Sequence, residues 1–347
     1  PTTVNHSLVA PLLTSLTSLH SATCVHSPPS LNSTSSPTTN RVWRGTSAWK
    51  LPWREAKQVT VNIGGLSFQP VLEGPIVLGT TKGGWVYSSQ RPSFEARLPM
   101  FFALEHPLTS SEVGAVLGIK NEGADSAMET LTSFDLHELA ENLTKTQAFE
   151  AFLENNPGAW ELRAPTEAEW RHGHAQKVIH LNAGLTERLA DAPASNYRGA
   201  MMDGRPRPNE LLGPASSQAA AIAVHPRKPS VIAVTSVPLE RPLPNVVARL
   251  VLSPVRTGTA KRVPDNTDLW ANVRSEVLWT TVLGIIPSFL IPVMRGMSAY
   301  ATEGWVNLLF GGLCAGFFTG AIWRPRRSVL AYEDAAQFLE DSPSDSQ

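Results

Sequence analysis

Two apolar stretches near the C-terminus constrain this 347-residue chain more than any other feature. Val277–Met294 runs for 18 residues without a charged side chain, and Trp305–Trp323 for 19. At about 1.5 Å of rise per residue, a helix over each just spans the ~30 Å hydrocarbon layer of a bilayer. The intervening Arg295–Gly304 is short and contains Gly296, so the pair reads as a transmembrane hairpin with helices over 277–294 and 305–323. The competing reading is a buried hairpin in a soluble core. Trp279, Trp305 and Trp323 near the ends favour the membrane, because indoles settle at the headgroup level. Pro287 and Pro292 should kink the first helix, which is tolerable where Ser288 or a neighbouring helix satisfies the freed carbonyls. On the second helix, Gly312, Gly316 and Gly320 follow small-xxx-small spacing and are candidate contacts for a partner helix.

Charge sets the expected topology. Lys261, Arg262 and Arg274 precede the hairpin, Arg324, Arg326 and Arg327 follow it, and the loop between offers only Arg295 against Glu303. The positive-inside tendency places both termini and the main domain on the cytoplasmic side, or on the matrix or stromal side in an organelle. Residues 256–276 form a juxtamembrane linker or helix. Residues 324–347 are a basic, then acidic tail, expected to contain a short amphipathic helix. A net charge of −1 excludes a strongly basic nucleic-acid binder, so no nucleic-acid partner is expected. Two cysteines, Cys24 and Cys314, cannot build a disulfide framework or a four-cysteine metal site.

The N-terminal 1–58 differs in kind from the rest of the chain. Residues 1–40 hold 17 Ser or Thr, and no acidic residue appears before Glu55. Such a composition buries too little apolar surface to offset chain entropy, so in isolation it should be disordered. It also resembles an organelle transit peptide. Within Arg41–Arg54, Trp43, Trp49 and Trp53 alternate with Arg41, Arg44, Lys50 and Arg54. Indoles among basic side chains suit a membrane interface or a partner groove, or else cap the next domain.

Residues 59–255 carry a mixed α and β pattern. Short apolar runs such as Ile76–Leu78 and Phe101–Leu104 read as strands between Gly and Pro punctuation. Helices are expected over Ser110–Leu117 and Leu136–Phe152. Another should open at Thr166–Trp170, where Pro165 precedes and Glu167 and Glu169 favour the positive N-terminal end. Read from the residues alone, Arg163, Glu167 and Glu169 cap and cross-link that helix start, and Trp170 fills the core. A glutamate pair for acid–base catalysis is the weaker alternative, because nothing in the sequence sets a nucleophile or metal beside it.

The segment Trp160-Glu-Leu-Arg-Ala-Pro-Thr-Glu-Ala-Glu-Trp170 closely resembles the Y-R-L-P-T-E-A-E-W-E signature of the formylglycine-generating enzyme, or sulfatase-modifying factor, superfamily. Arg163, Pro165, Thr166, Glu167, Glu169 and Trp170 stand in register, and Ala164 replaces a Leu. Weaker correspondences lie in order around it: Val77-Leu-Gly79 with F-x-M-G, Pro107-Leu-Thr109 with P-V-T, Glu187–Asp191 with E-W-x-x-D, Tyr197-Arg-Gly199 with R-G-G, and Ala248–Val251 with G-F-R-L-V. The resemblance covers roughly residues 65–255. It implies an α+β fold: an irregular formylglycine-generating-enzyme-like, C-type-lectin-related domain, here followed by the transmembrane hairpin.

The departures from the family bear on function. Its formylglycine generators use a pair of cysteines late in the domain to bind copper, and Arg198–Val251 contains none. Its iron-dependent sulfoxide synthases use a His cluster. His172, His174 and His180 are the only local cluster here and lack a fourth ligand of evident spacing, so neither metal nor other cofactor is expected. The chain therefore reads as a catalytically inert, membrane-anchored accessory subunit. Its expected partners are the lipid bilayer and the subunits of a larger membrane complex, photosynthetic or respiratory, which it binds and stabilises. The alternatives are an oxygen-using metalloenzyme of the superfamily or a lectin-like ligand sensor.

Overall fold

The computed structural model describes residues 60–82, 85–118, 126–266, 269–296, 299, 303–322 and 327–333. A five-stranded antiparallel sheet organises the domain. Its members are β1 (Val61–Ile63), β2 (Leu66–Val71), β5 (Phe101–Leu104), β6 (Trp160–Arg163) and β11 (Val251–Pro254), in the order β1-β2-β5-β11-β6. β3 (Gly74–Leu78) and β4 (Phe94–Leu98) pair as a ribbon. A four-stranded sheet joins β7 (Thr186–Arg188), β8 (Gln218–Val224), β9 (Ile232–Pro238) and β10 (Val246–Val247) in the order β10-β7-β8-β9.

The large sheet is buried on both faces, which explains the unbroken apolar run of β5. Alternate side chains of a strand point to opposite faces. Phe102 and Leu104 enter one core with α1 (Ser110–Leu117), α2 (Ser133–Thr144) and α3 (Gln147–Asn155), while Phe101 and Ala103 enter a second core with Trp170, Ile179 and Ile222. The expected single helix over Leu136–Phe152 is two helices. Thr146 breaks it: with extended backbone angles, its Oγ1 donates to the Leu143 carbonyl at 2.6 Å and accepts from the Phe149 amide at the start of α3. A hydroxyl that satisfies both helix ends competes with the continuous helix, and the periodic burial of Leu136, Leu139 and Leu143 in α2 passes to Phe149 and Phe152 in α3.

α4 (Glu167–Ala175) begins at a capping box, in which Thr166 accepts from the Glu169 amide and Glu169 accepts from the Thr166 amide. After β11 the chain continues through α5 (Leu269–Thr280), a π-helical turn (Thr281–Ile285) and α6 (Ile286–Met294), then α7 (Trp305–Ile322). The π turn lies directly before Pro287, whose ring excludes a regular i→i−4 bond, and Ser288 Oγ donates to the Ile285 carbonyl at 2.7 Å. Val273–Met294 is long and apolar enough to cross a membrane, with a mean hydropathy of 2.0. The second apolar stretch, Trp305–Thr319, is shorter, and Trp323 lies outside the described residues.

These helices pack against each other in antiparallel fashion. Phe289 meets Trp305, Gly284 meets Gly312, and Thr280 meets Gly316. The face expected to receive a partner helix is thus occupied, at Gly312 and Gly316, by the chain's own preceding helix. The described tail residues 327–333 hold one bridge residue and a turn and return to the domain, while the acidic stretch expected to carry an amphipathic helix lies outside the described residues from 334 on. Leu330 forms a parallel bridge with Phe94, its amide donates to the Ser93 carbonyl, and its carbonyl accepts from the Glu95 amide. Ahead of α5, Arg262 bridges Met201. Tyr332 lies between Arg97 and Lys261, with ring centroid distances of 5.2 and 4.0 Å, and so joins the segments that enter and leave the helical pair.

Candidate functional site

The family-like motif folds into a buried charge network around the start of α4. Glu169 is wholly buried. Arg163 grips it with two bonds of 2.7 and 2.9 Å, Ser253 Oγ donates to it at 2.7 Å, and Arg256 at 3.2 Å. Burial alone would raise the Glu169 pKa, but the Arg163 charge and its hydrogen bonds win and lower it to about 2. Burial opposes the Arg163 charge in the same way, and Glu169 more than compensates, raising that pKa. Pro165 accepts from the Ala190 amide through its carbonyl, which ties the motif to the strand ahead of Asp191.

Glu167 binds sideways rather than into the cap. Its carboxylate accepts from Arg171 at 2.7 Å and from the Tyr197 hydroxyl at 2.6 Å. Trp170 is fully buried, and its Nε1–H donates to Glu187 at 2.8 Å. Glu187 is itself held by Arg249, both side chains being fully buried. Arg249 also donates to the carbonyls of Leu104, Glu105 and His180. These carboxylates therefore accept from arginines, an indole, two hydroxyls and a backbone amide, and the network acts chemically as a cross-link between sheet, helix and loop.

The three histidines do not converge. His172 is buried and bonds through Nε2 to the Leu72 carbonyl at 2.9 Å and to Gln176 at 2.8 Å. His174 stacks on Trp170 at 5.0 Å and bonds through Nδ1 to the Ile179 carbonyl. His180 sits beside His106, with ring centroids 6.0 Å apart. Among the described residues no group of three or more His, Cys, Asp or Glu side chains is placed to hold a metal ion. Trp43, Trp49 and Trp53 lie outside the described residues; Gly320 falls within α7.

A half-open cleft of about 410 Å³ lies between α2, β7 and the loop 206–209. Arg163, Arg188, Arg207 and Asp191 line it among apolar side chains that include Leu136, Leu162, Leu189 and Leu239. Asp191 accepts from the amides of Glu167 at 2.6 Å and Arg207 at 2.7 Å. Burial nevertheless raises its pKa to about 6, because the carboxylate loses more hydration than two amide bonds return. Sequence reasoning passed over this cleft and Arg188. One signal was available: a basic residue at the second position of a segment resembling E-W-x-x-D, where the pattern is apolar.

No protein-family model matches the sequence, and no curated protein matches it. Among solved structures, PvdO from Pseudomonas aeruginosa is similar over 57% of this chain and 100% of its own, at 12% identity and a TM-score of 0.41. The Treponema denticola variable protein 1 is similar over 56% of this chain and 99% of its own, at 15% identity and a TM-score of 0.39. CarF is similar over 58% of this chain and 100% of its own, at 12% identity and a TM-score of 0.31. These are distant likenesses.

Proposed function

We propose that this chain is a non-catalytic, membrane-anchored accessory subunit that binds and stabilises a larger membrane protein complex, photosynthetic or respiratory in kind. The outer surface of the helical pair carries this reading. Val277, Phe289, Val293, Met294, Phe310 and Phe318 are all exposed there, whereas the glycines at the seam face inward. A continuous apolar surface of that extent needs a bilayer or a partner to cover it. Two transmembrane passes with the domain on the cytoplasmic, matrix or stromal side fit the basic flanks. They also fit the β-bridges that hold residues on either side of the pair, Arg262 and Leu330, to one domain. The resemblance of residues 160–170 supports a sulfatase-modifying-factor-like domain. The engagement of Glu167, Glu169, Glu187 and Asp191 in internal bonds supports a scaffold over a catalyst.

In this reading the arm 1–58, with Trp43, Trp49 and Trp53, is a second attachment to the complex beside the helical pair. Tethering by one contact would raise overall avidity by ~10²-fold or more. Deleting residues 1–54 should leave the protein in carbonate-washed membranes but release it from co-migrating subunits in mild detergent. Co-migration at the wild-type ratio would end the attachment role, and recovery of the full chain in detergent-free supernatant would end the membrane role.

A further inference from the structure

We propose that the cleft between α2, β7 and the loop 206–209 binds a small organic anion, a carboxylate or phosphate group carried on an apolar body. This goes beyond the accessory role and does not depend on it. Three guanidinium groups line the cleft. Arg163 is neutralised by Glu169 and Glu161. Arg188 makes no ion-pair contact with a described carboxylate: its side chain is buried, and it donates to the backbone carbonyls of Leu131, Pro238 and Arg241. Arg207 gives its two Nη groups to the carbonyls of Asn196 and Arg198. Carbonyl dipoles orient a guanidinium and satisfy its hydrogen bonds, but they leave its net charge in place.

The surrounding carboxylates offset that charge only in part and through space: Asp135 attracts Arg188, and Asp191, Glu210 and Asp265 attract Arg207, but burial outweighs them at both groups. Asp135 is held in the capping box of α2 by the Thr132 amide at 2.9 Å and hydroxyl at 2.7 Å, and no described bond joins it to Arg188. Asp191 is the only carboxylate among the lining residues, and backbone amides hold it. His137 projects outward and meets Glu141 at 3.4 Å. Among the lining side chains three guanidinium groups stand against one carboxylate, so the lining itself is positively charged.

Geometry supplies the rest. A guanidinium has five N–H donors; the bonds of Arg188 use one on Nε and one on each Nη, so each Nη keeps an N–H that bonds to no described residue. Two spare N–H groups on one guanidinium are the number that a bidentate carboxylate or phosphate takes up. Leu136, Ala140, Leu162, Leu189 and Leu239 offer an apolar wall beside it, and about 410 Å³ is the size of a small-molecule site. Apolar lining around a buried cation selects an amphipathic anion over inorganic phosphate. Burial also lowers the pKa of Arg188 and of Arg207, so a bound anion would stabilise charges that the fold alone leaves under-compensated.

The test uses the full chain in phosphatidylcholine nanodiscs, with empty nanodiscs as blank. Calorimetric titrations compare naphthoate, naphthyl phosphate and uncharged naphthamide. At least one anion should bind saturably and about 10-fold or more tighter than the amide, the contrast expected of charge-assisted hydrogen bonds. The better anion identifies the recognised group. Arg188→Gln should weaken that binding by about 10-fold or more. Because Arg188 also ties three backbone carbonyls together, Ala190→Phe provides a second arm: it fills the cleft, removes no hydrogen bond, and should abolish binding with a wild-type melting midpoint. Equal binding of anions and amide, no saturable binding of either anion, or wild-type binding by a folded Ala190→Phe variant would overturn the proposal.

Discussion

Gly284 and Gly312 face each other across the C-terminal helices so closely that a Cβ added to Gly284 would lie 2.5 Å from the Gly312 carbonyl oxygen. The reverse contact, from Gly312 to the Gly284 oxygen, would be 2.7 Å. Backbone rather than side chain fills the seam. Neither helix can rotate a flexible group out of the way, so the close approach depends on the absence of a Cβ at both positions.

This sets a paired prediction. Gly312→Val should separate the helices and destabilise the pair by ~1–3 kcal/mol or more, as overpacking does. Gly311→Val, one residue away, meets nothing within 4 Å and should cost far less. Thermal unfolding of the two variants in the same detergent checks the contrast. Equal midpoints would mean that the seam is not closed in solution.

The buried pair of Glu187 and Arg249 should behave as one unit. Removing either partner leaves an uncompensated charge in the core, a loss of ~3–5 kcal/mol. Replacing both, as Glu187→Leu with Arg249→Met, should cost less than the sum of the single changes. A urea-unfolding double-mutant cycle followed by near-ultraviolet dichroism measures the coupling, and strict additivity would contradict it.

Trp170 tests the core separately. Trp170→Ala should destabilise the domain by ~3–5 kcal/mol through the cavity it leaves. Trp170→Phe keeps most of the volume and isolates the indole bond to Glu187, so it should cost nearer ~1–3 kcal/mol. A fully stable alanine variant would place the indole outside the core.

Domain stability should pass through a maximum in mild acid. Asp191, with a folded pKa of about 6 against an ordinary 3.8, holds a proton that the unfolded chain releases in that window. Its contribution, up to ~3 kcal/mol, is present below the lower value and fades as pH rises through the higher one. Glu169, lowered from 4.5 to about 2, contributes above its ordinary value and loses that contribution as pH falls towards the lower one. Asp191→Asn should flatten the weakly acidic limb, and Glu169→Gln the strongly acidic one. Urea midpoints measured across both windows decide each claim.

The returning tail should protect the edge of β4. The Glu95 amide donates to the Leu330 carbonyl at 2.9 Å, so its hydrogen exchange should be slow in the full chain. Removing residues 327–347 should accelerate it while amides of β5 stay protected. Unchanged exchange at Glu95 would show that the tail is not held.

Local chemistry makes part of this architecture legible from residue order alone. Thr166, Glu169 and Pro165 announce a helix start because a capping box is a contact between neighbours in sequence. Phe101–Leu104 reads as a strand because four consecutive apolar residues require burial on two faces. Val277–Met294 announces its length and apolarity directly. The break at Thr146 was hidden, because apolar spacing continues across it and only the hydroxyl bonds to both helix ends reveal it. Contacts between groups far apart in sequence were decided by tertiary structure alone. The sequence shows glycines at helical spacing, but whether Gly312 meets a partner or Gly284 depends on how the chain folds back. It shows Arg188, but the charge of that residue acquires meaning only when Leu131, Pro238 and Arg241 bring carbonyls to bond it. Sequence by itself determines short-range bonds and burial patterns, since those follow from residue type and period. Which distant groups share one low-dielectric space is settled by packing, and that sharing fixes the charge balance of the cleft.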